Sequence, residues 1–261
     1  MENASGAKNR IHFLDEMRGL AVFCMLFYHA FYIIGEFFGV EQATDLFYFF
    51  MPIQPFFAGI FIFICGISCS LSRNNLKRGV ILLGIALGMT LVTAVIMPKL
   101  GFVDCEIYFG ILHFLSVCIL LYTFFSKCVK ATSPLAGLLV CAVFYIFTAG
   151  IGNGYLGFGE ALRIDLPASL YTSDVLVPLG IYSPAFYSAD YFPLFPDIFI
   201  FLAGAFTGVY LAKKGFPEKL YVRRAPFFGF LGKKTLIIYI VHMPLIYGAA
   251  YGFDFIINLF K

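Results

Sequence analysis

The chain has 261 residues, 61% of them hydrophobic and 13% charged, with 18 Lys and Arg against 15 Asp and Glu. Soluble domains carry about a quarter of their residues as charges, so this chain has too few to cover a water-facing surface and reads as an integral membrane protein. A formal net charge of +3, with no basic stripe away from the membrane flanks, excludes nucleic acid as a partner.

The opening stretch 1–18 is polar and lacks the apolar core of a cleavable signal, so the first apolar run is expected to be a retained span. A spanning helix needs about 20 mostly apolar residues. The stretches 19–38, 51–72, 79–98, 108–125, 132–151, 192–212 and 235–253 meet that requirement. The predicted fold is an all-α polytopic bundle of about seven transmembrane helices, forming one domain over 1–261. Placing the N-terminus in the cytoplasm leaves only Lys99, Arg163 and Lys261 of the basic residues outside, as the positive-inside bias requires. Acidic residues lean the other way, among them Glu36, Glu41, Asp104, Glu160, Asp174 and Asp254. The long outer segment 152–191, between helices 5 and 6, exceeds a simple connection. Its Gly, Pro and Tyr clusters predict an ordered lid with re-entrant or interfacial turns. Seven Cys lie mostly inside apolar runs without paired spacing, which argues against a disulfide framework. No internal repeat is visible, which weakens a transporter built on inverted halves.

Ionisable groups inside spans are costly and mark candidate sites. His29 falls near the middle of span 1, and Arg18 stands at its cytoplasmic mouth. Eleven residues at 100° each return to nearly the same helix face, about 16 Å along the axis. Asp15, three residues before Arg18, can pair with it or orient it. An anionic ligand from the cytoplasm could place its charged end at Arg18 and its far end at His29. A neutral imidazole there could act as a general base; a structural hydrogen bond to a carbonyl is the plain alternative. His113 and His242 also lie in spans, and for each an interhelical bond competes with a chemical role. Asp197 either pairs across the bundle or sits at a shifted boundary. Arg73 and Arg78, after span 2, suit either the positive-inside bias or phosphate contact. No metal-ligand spacing occurs on any span, so no metal is expected.

The segment RIHFLDEMRGLAVFCMLFYH at 10–29 resembles the opening of the transmembrane acyltransferase superfamily. Arg18 and His29 match the Arg, ten residues, His spacing of acyltransferase family 3. The closer resemblance is to bacterial proteins with the heparan-alpha-glucosaminide N-acetyltransferase catalytic domain. It is carried by FIFICGISCSLSR at 61–73, IYFGILHFLSVCILL at 107–121, PLGIYSPAFYSADYFPLFP at 178–196 and GKKTLIIYIVHMPL at 232–245. The lysosomal member of that family has Asn where His29 stands, and its proposed catalytic His lies in the next outer loop. The stretch 30–40 here has no His.

The resemblance implies transfer of an acyl group, above all acetyl, from cytosolic acetyl-CoA or another acyl-CoA to an acceptor across the membrane. The acceptor would be an amine or hydroxyl of a glycan or amino sugar. Arg18, with Asp15, would organise the donor and His29 would be the base or carry the acyl group. Arg73, Arg78, His113 and His242 become candidates for the acyl-CoA pocket, and Asp190 and Tyr191 for the acceptor side. The expected location is a bacterial plasma (inner) membrane; a homo-oligomer stays open. Two other functions compete. A proton-coupled transporter or channel would use His29, His113 and His242 as a relay, and a sensor or assembly subunit would keep only a vestigial pocket.

Overall fold

The computed structural model describes residues 10–101, 104–159 and 161–259, the last seven by backbone alone. Lys8, Glu160 and Lys261 of the charge pattern, with the first half of the polar leader, lie outside the described residues. In chain order the helices are α1 (His12–Phe38), α2 (Glu41–Phe50), α3 (Gln54–Leu71), α4 (Asn75–Thr90), α5 (Ile111–Ala131), α6 (Pro134–Thr148), α7 (Ile198–Lys214), α8 (Pro226–Lys233) and α9 (Thr235–Leu259). A π turn, Leu91–Ile96, carries α4 on to Met97–Lys99.

Helix dominates because lipid offers no partner to backbone N–H and C=O groups, which a helix pairs within itself. Among the described residues, six helical stretches are long and apolar enough to cross a membrane: His12–Phe38, Gln54–Leu71, Asn75–Lys99, Ile111–Ala131, Pro134–Asn153 and Thr235–Gly252. The protein is an all-α polytopic membrane protein. The stretch 192–212 differs from expectation. Its helix begins at Ile198 and runs 17 residues, about 26 Å at 1.5 Å per residue. Pro193 and Pro196 explain the late start, since the residue before a proline is pushed out of the helical region. Asp197 therefore stands at the boundary, immediately before α7.

The chain divides into two compact units, Met1–Ile64 with Phe216–Lys261, and Cys65–Gly215. In the first, α1 ends at Gly39 in a left-handed conformation, whose N–H bonds the Gly35 carbonyl at 3.0 Å. A side chain there would be strained, so glycine closes the helix. α2 then folds back along α1. Tyr32 and Tyr28 both pack at a tilt against Phe47, at ring distances of 5.4 and 4.9 Å, and Phe31 stacks on Phe50. α8 crosses α1 with backbones touching: a Cβ on Gly19 would collide with the carbonyl oxygen of Phe228, and one on Gly232 with that of Asp15. Small residues permit such crossings where lipid supplies no hydrophobic drive between helices. α9 runs beside α1 in the same direction, since His29 meets His242 and, farther along both, Phe37 and Phe38 meet Tyr247.

In the second unit α4 and α5 lie antiparallel. Gly79 faces Leu120 at one end and Thr90 meets His113 at the other. The π turn beyond Thr90 is tied to the following loop, because the Thr93 hydroxyl donates to the Met89 carbonyl (2.9 Å) and accepts from the Ile107 N–H (3.1 Å). The long segment after α6 is ordered and rich in turns. It opens with an antiparallel hairpin, β1 (Tyr155–Phe158) and β2 (Leu162–Asp165), and the Arg163 guanidinium lies 4.4 Å over the Tyr155 ring. Two 3-10 turns follow, Ala168–Thr172 and Val177–Leu179. The segment returns to the loop before α5 through Ala189 N–H to Glu106 (2.8 Å) and Phe192 N–H to Phe109 (3.0 Å).

Candidate functional site

The first unit gathers four of the expected residues, at two levels of α1. At its start Asp15, 6% exposed, accepts from Arg10 Nε at 2.5 Å and from Arg18 Nη1 at 3.3 Å. One carboxylate so aligns two guanidiniums, and charge-assisted bonds of this kind are the stronger class. Beside it lies a residue that sequence reasoning passed over. Glu16, equally buried, accepts the backbone N–H groups of Arg224 (2.8 Å) and Ala225 (2.9 Å), which lead into α8. Pro226 at the first turn of α8 has no N–H to offer, so the two residues before it donate instead. The only signal in the sequence was a second acidic residue next to Asp15 in the opening turns of α1.

Glu16→Ala is expected to destabilise the protein by about 2 kcal/mol, because two partly buried donors lose their acceptor. Glu16→Gln, which keeps the carbonyl oxygen, should recover more than half of that. Thermal midpoints in one detergent decide it, and equal midpoints for Ala and wild type would show that water replaces the carboxylate.

Eleven residues past Arg18, His29 meets His242 of α9, with ring centroids 5.0 Å apart and planes at 52°. Tyr28 packs edge-on to His29 and Tyr239 against His242. His242 Nδ1 lies 2.6 Å from the Tyr239 carbonyl oxygen. A carbonyl can only accept, so Nδ1 carries the proton and Nε2 of the neutral ring is a bare lone pair. That Nε2 is buried and has no hydrogen-bond partner among the described residues. The sequence placed both imidazoles in spans but gave no sign that they meet.

The second unit holds the rest. His113 is fixed through both ring nitrogens. The Thr90 hydroxyl donates to the Ile107 carbonyl (2.7 Å), so its oxygen accepts from His113 Nε2–H (3.1 Å), and Nδ1 accepts the Gly110 N–H (3.3 Å). This ring pins the start of α5 to α4. Arg73 and Arg78 are exposed at the turn joining α3 to α4, where Asn74 caps Lys77 and Arg78 bonds the Asn75 side chain. Along α4 the twelve residues from Arg78 to Thr90 span about 18 Å, so His113 stands at the opposite end of the helix pair from the two arginines.

Asp190 Oδ2 accepts the Ile111 N–H at 3.0 Å and so caps the first turn of α5, where the helix dipole favours a carboxylate. Ser188 shapes that turn by donating to the Asp190 carbonyl. The Tyr191 hydroxyl donates to the Val177 carbonyl at 2.7 Å. Burial first, then the neighbouring Tyr182, pushes that hydroxyl above the usual tyrosine range. Its ring packs against Tyr182 and Phe186, an aromatic cluster that the sequence offered only as composition. Among the described residues no three His, Cys, Asp or Glu side chains gather to hold a metal ion.

Comparison with known families decides what kind of protein carries this arrangement. The profile described as heparan-alpha-glucosaminide N-acetyltransferase, catalytic, matches residues 10–244, from the arginine that meets Asp15 to two residues past His242. The chain belongs to that family. Searches of curated proteins and of solved structures return no match. Membership makes the protein a membrane enzyme of N-acetyltransferase type, and the matched region contains every candidate residue named above.

Proposed function

We propose that this acetyltransferase family member moves an acyl group, acetyl by preference, from acyl-CoA in the cytosol to an amine or hydroxyl of a glycan or amino sugar at the outer face. The observation that carries the proposal is the line along α1 from the Arg10–Asp15–Arg18 cluster to the His29–His242 pair. The cationic end suits the phosphates of the donor; in the second unit, the exposed Arg73 and Arg78 are of a side-chain type that also suits phosphate. The imidazole end suits the thioester. His29 takes the proton of the acceptor as its nitrogen or oxygen attacks the acyl carbon. The C–S bond breaks, and the same proton leaves with the CoA thiolate. In the second unit, Asp190, Tyr191 and the aromatic cluster around them are the proposed acceptor contacts. The basic residues placed inside by the positive-inside bias support a cytoplasmic N-terminus, in the plasma membrane of a bacterium.

Purified protein given labelled acetyl-CoA and glucosamine is expected to label the sugar. Failure to bind acetyl-CoA, together with proton-driven solute uptake into CoA-free vesicles, would replace the transferase with a transporter.

A further inference from the structure

Within the first unit the acyl-transfer proposal moves the proton through His29 and gives His242 no part in that transfer, yet His242 is the more constrained of the two. It is 5% exposed, its Nδ1–H is committed to the Tyr239 carbonyl at 2.6 Å, and its Nε2 has no hydrogen-bond partner among the described residues. A buried acceptor without a donor is costly, and such an atom in a native protein calls for a reason. The His29 ring lies alongside, 5.0 Å centroid to centroid. At that separation a modest rotation about the side-chain bonds brings one nitrogen of each ring to hydrogen-bond distance of about 3 Å.

We infer that His242 is the positioning residue of His29: its bare Nε2 receives the ring N–H of His29, which fixes the His29 tautomer and leaves the other His29 nitrogen free to take a proton. The inference rests on the acyl-transfer proposal for its chemistry, and on the ring geometry alone for the pairing. The logic is that of any oriented imidazole. An acceptor behind the ring selects the tautomer and stabilises the imidazolium that forms when the base is protonated. Here the acceptor is a second imidazole, itself oriented by a backbone carbonyl. The chain Tyr239 carbonyl, His242, His29 thus runs from α9 to α1, and each member accepts from one neighbour or donates to the next. When His29 takes the acceptor's proton it holds two N–H groups. One stays on His242 Nε2 and the other returns its proton to the leaving thiolate, so the pair ends as it began. Tyr28 and Tyr239, which flank the rings, close them off with aromatic surface.

The test uses the full-length protein in detergent, labelled with 15N-histidine; the chain has only four His. His242→Phe keeps ring volume and removes both nitrogens, and His242→Gln keeps an acceptor oxygen. The inference expects His29 to show one ring nitrogen protonated and the other not in the unaltered protein. It expects averaged tautomers in His242→Phe, and recovery of one tautomer in His242→Gln. In the transfer assay His242→Phe should lower kcat by about 10–100-fold, a part of the 10²–10⁴-fold that a positioned general base contributes, with KM for acetyl-CoA unchanged, and His242→Gln should restore part of it. His29 nitrogen signals that are the same in all three proteins would overturn the pairing, whether or not transfer is seen. Absence of transfer in the unaltered protein would overturn the acyl-transfer proposal, while the nitrogen signals still decide the pairing.

Discussion

His29→Ala is expected to lower acetyl transfer by about 10²- to 10⁴-fold, the contribution of a positioned general base, while acetyl-CoA binding persists. The separation of the two effects follows from distance. The guanidiniums aligned by Asp15 lie at the start of α1, and His29 lies eleven residues on, about 16 Å along the axis at 1.5 Å per residue. Removing the imidazole leaves Arg10, Asp15 and Arg18 bonded as before. Arg18→Ala should do the reverse, weakening donor binding more than the rate of bound donor. Arg18→Lys should fall short of rescue, because a point charge does not reproduce the planar fork that meets both a phosphate and Asp15. Equilibrium dialysis with labelled acetyl-CoA and single-turnover transfer separate the two quantities. A His29→Ala protein with the wild-type transfer rate would remove His29 from the chemistry altogether.

The sequence made the spanning helices legible because each must be long and apolar on its own, whatever it packs against. The pairing of Arg18 with His29 on one face was legible for the same reason, since helical spacing alone sets it. What escaped depends on contacts between segments far apart in the chain. α2 was invisible because Glu41 and Asp45 break its apolar run and it is only ten residues long; it is stable as a helix through Tyr28, Tyr32 and Phe31 on α1. α8 lay hidden in a basic connection, and its place is set by Glu16 and by two glycines. The strands of the hairpin are four residues each, too short for alternation to announce them. Within the candidate site, resemblance alone groups His113 with Arg73 and Arg78: His113 by the motif segment it falls in, the arginines as a basic pair. The side chains put His113 at the other end of α4 and α5, held by Thr90 and Gly110. The meeting of His29 with His242 needed α1 and α9 side by side, which no local pattern encodes.

Gly19→Ala is expected to destabilise the first unit by about 3 kcal/mol or more, at the upper end of overpacking costs, because the obstacle is backbone. The new methyl would strike the Phe228 carbonyl oxygen and come within 2.8 Å of the Gly232 nitrogen. Neither atom can turn aside as a side chain would, so α1 and α8 must separate. Separation also pulls Glu16 from the Arg224 and Ala225 N–H groups that it accepts, and Arg18 is the residue immediately before Gly19 on the same helix. Stability and donor binding should therefore fall together, and Gly232→Ala, which meets the Asp15 carbonyl from the other side, should reproduce both losses. The same substitution carries its own control elsewhere in the chain. Gly84 and Gly88 on α4 have nothing within 4 Å of an added Cβ. There Gly→Ala meets only the ordinary gain in helix stability of about 0.5–1 kcal/mol, so Gly84→Ala and Gly88→Ala should raise the melting midpoint or leave it unchanged. Midpoints followed by size-exclusion chromatography after heating would show the two signs directly. If Gly19→Ala and Gly84→Ala moved the midpoint alike, the close crossing of α1 and α8 would be wrong, and with it the placement of Glu16 against the start of α8.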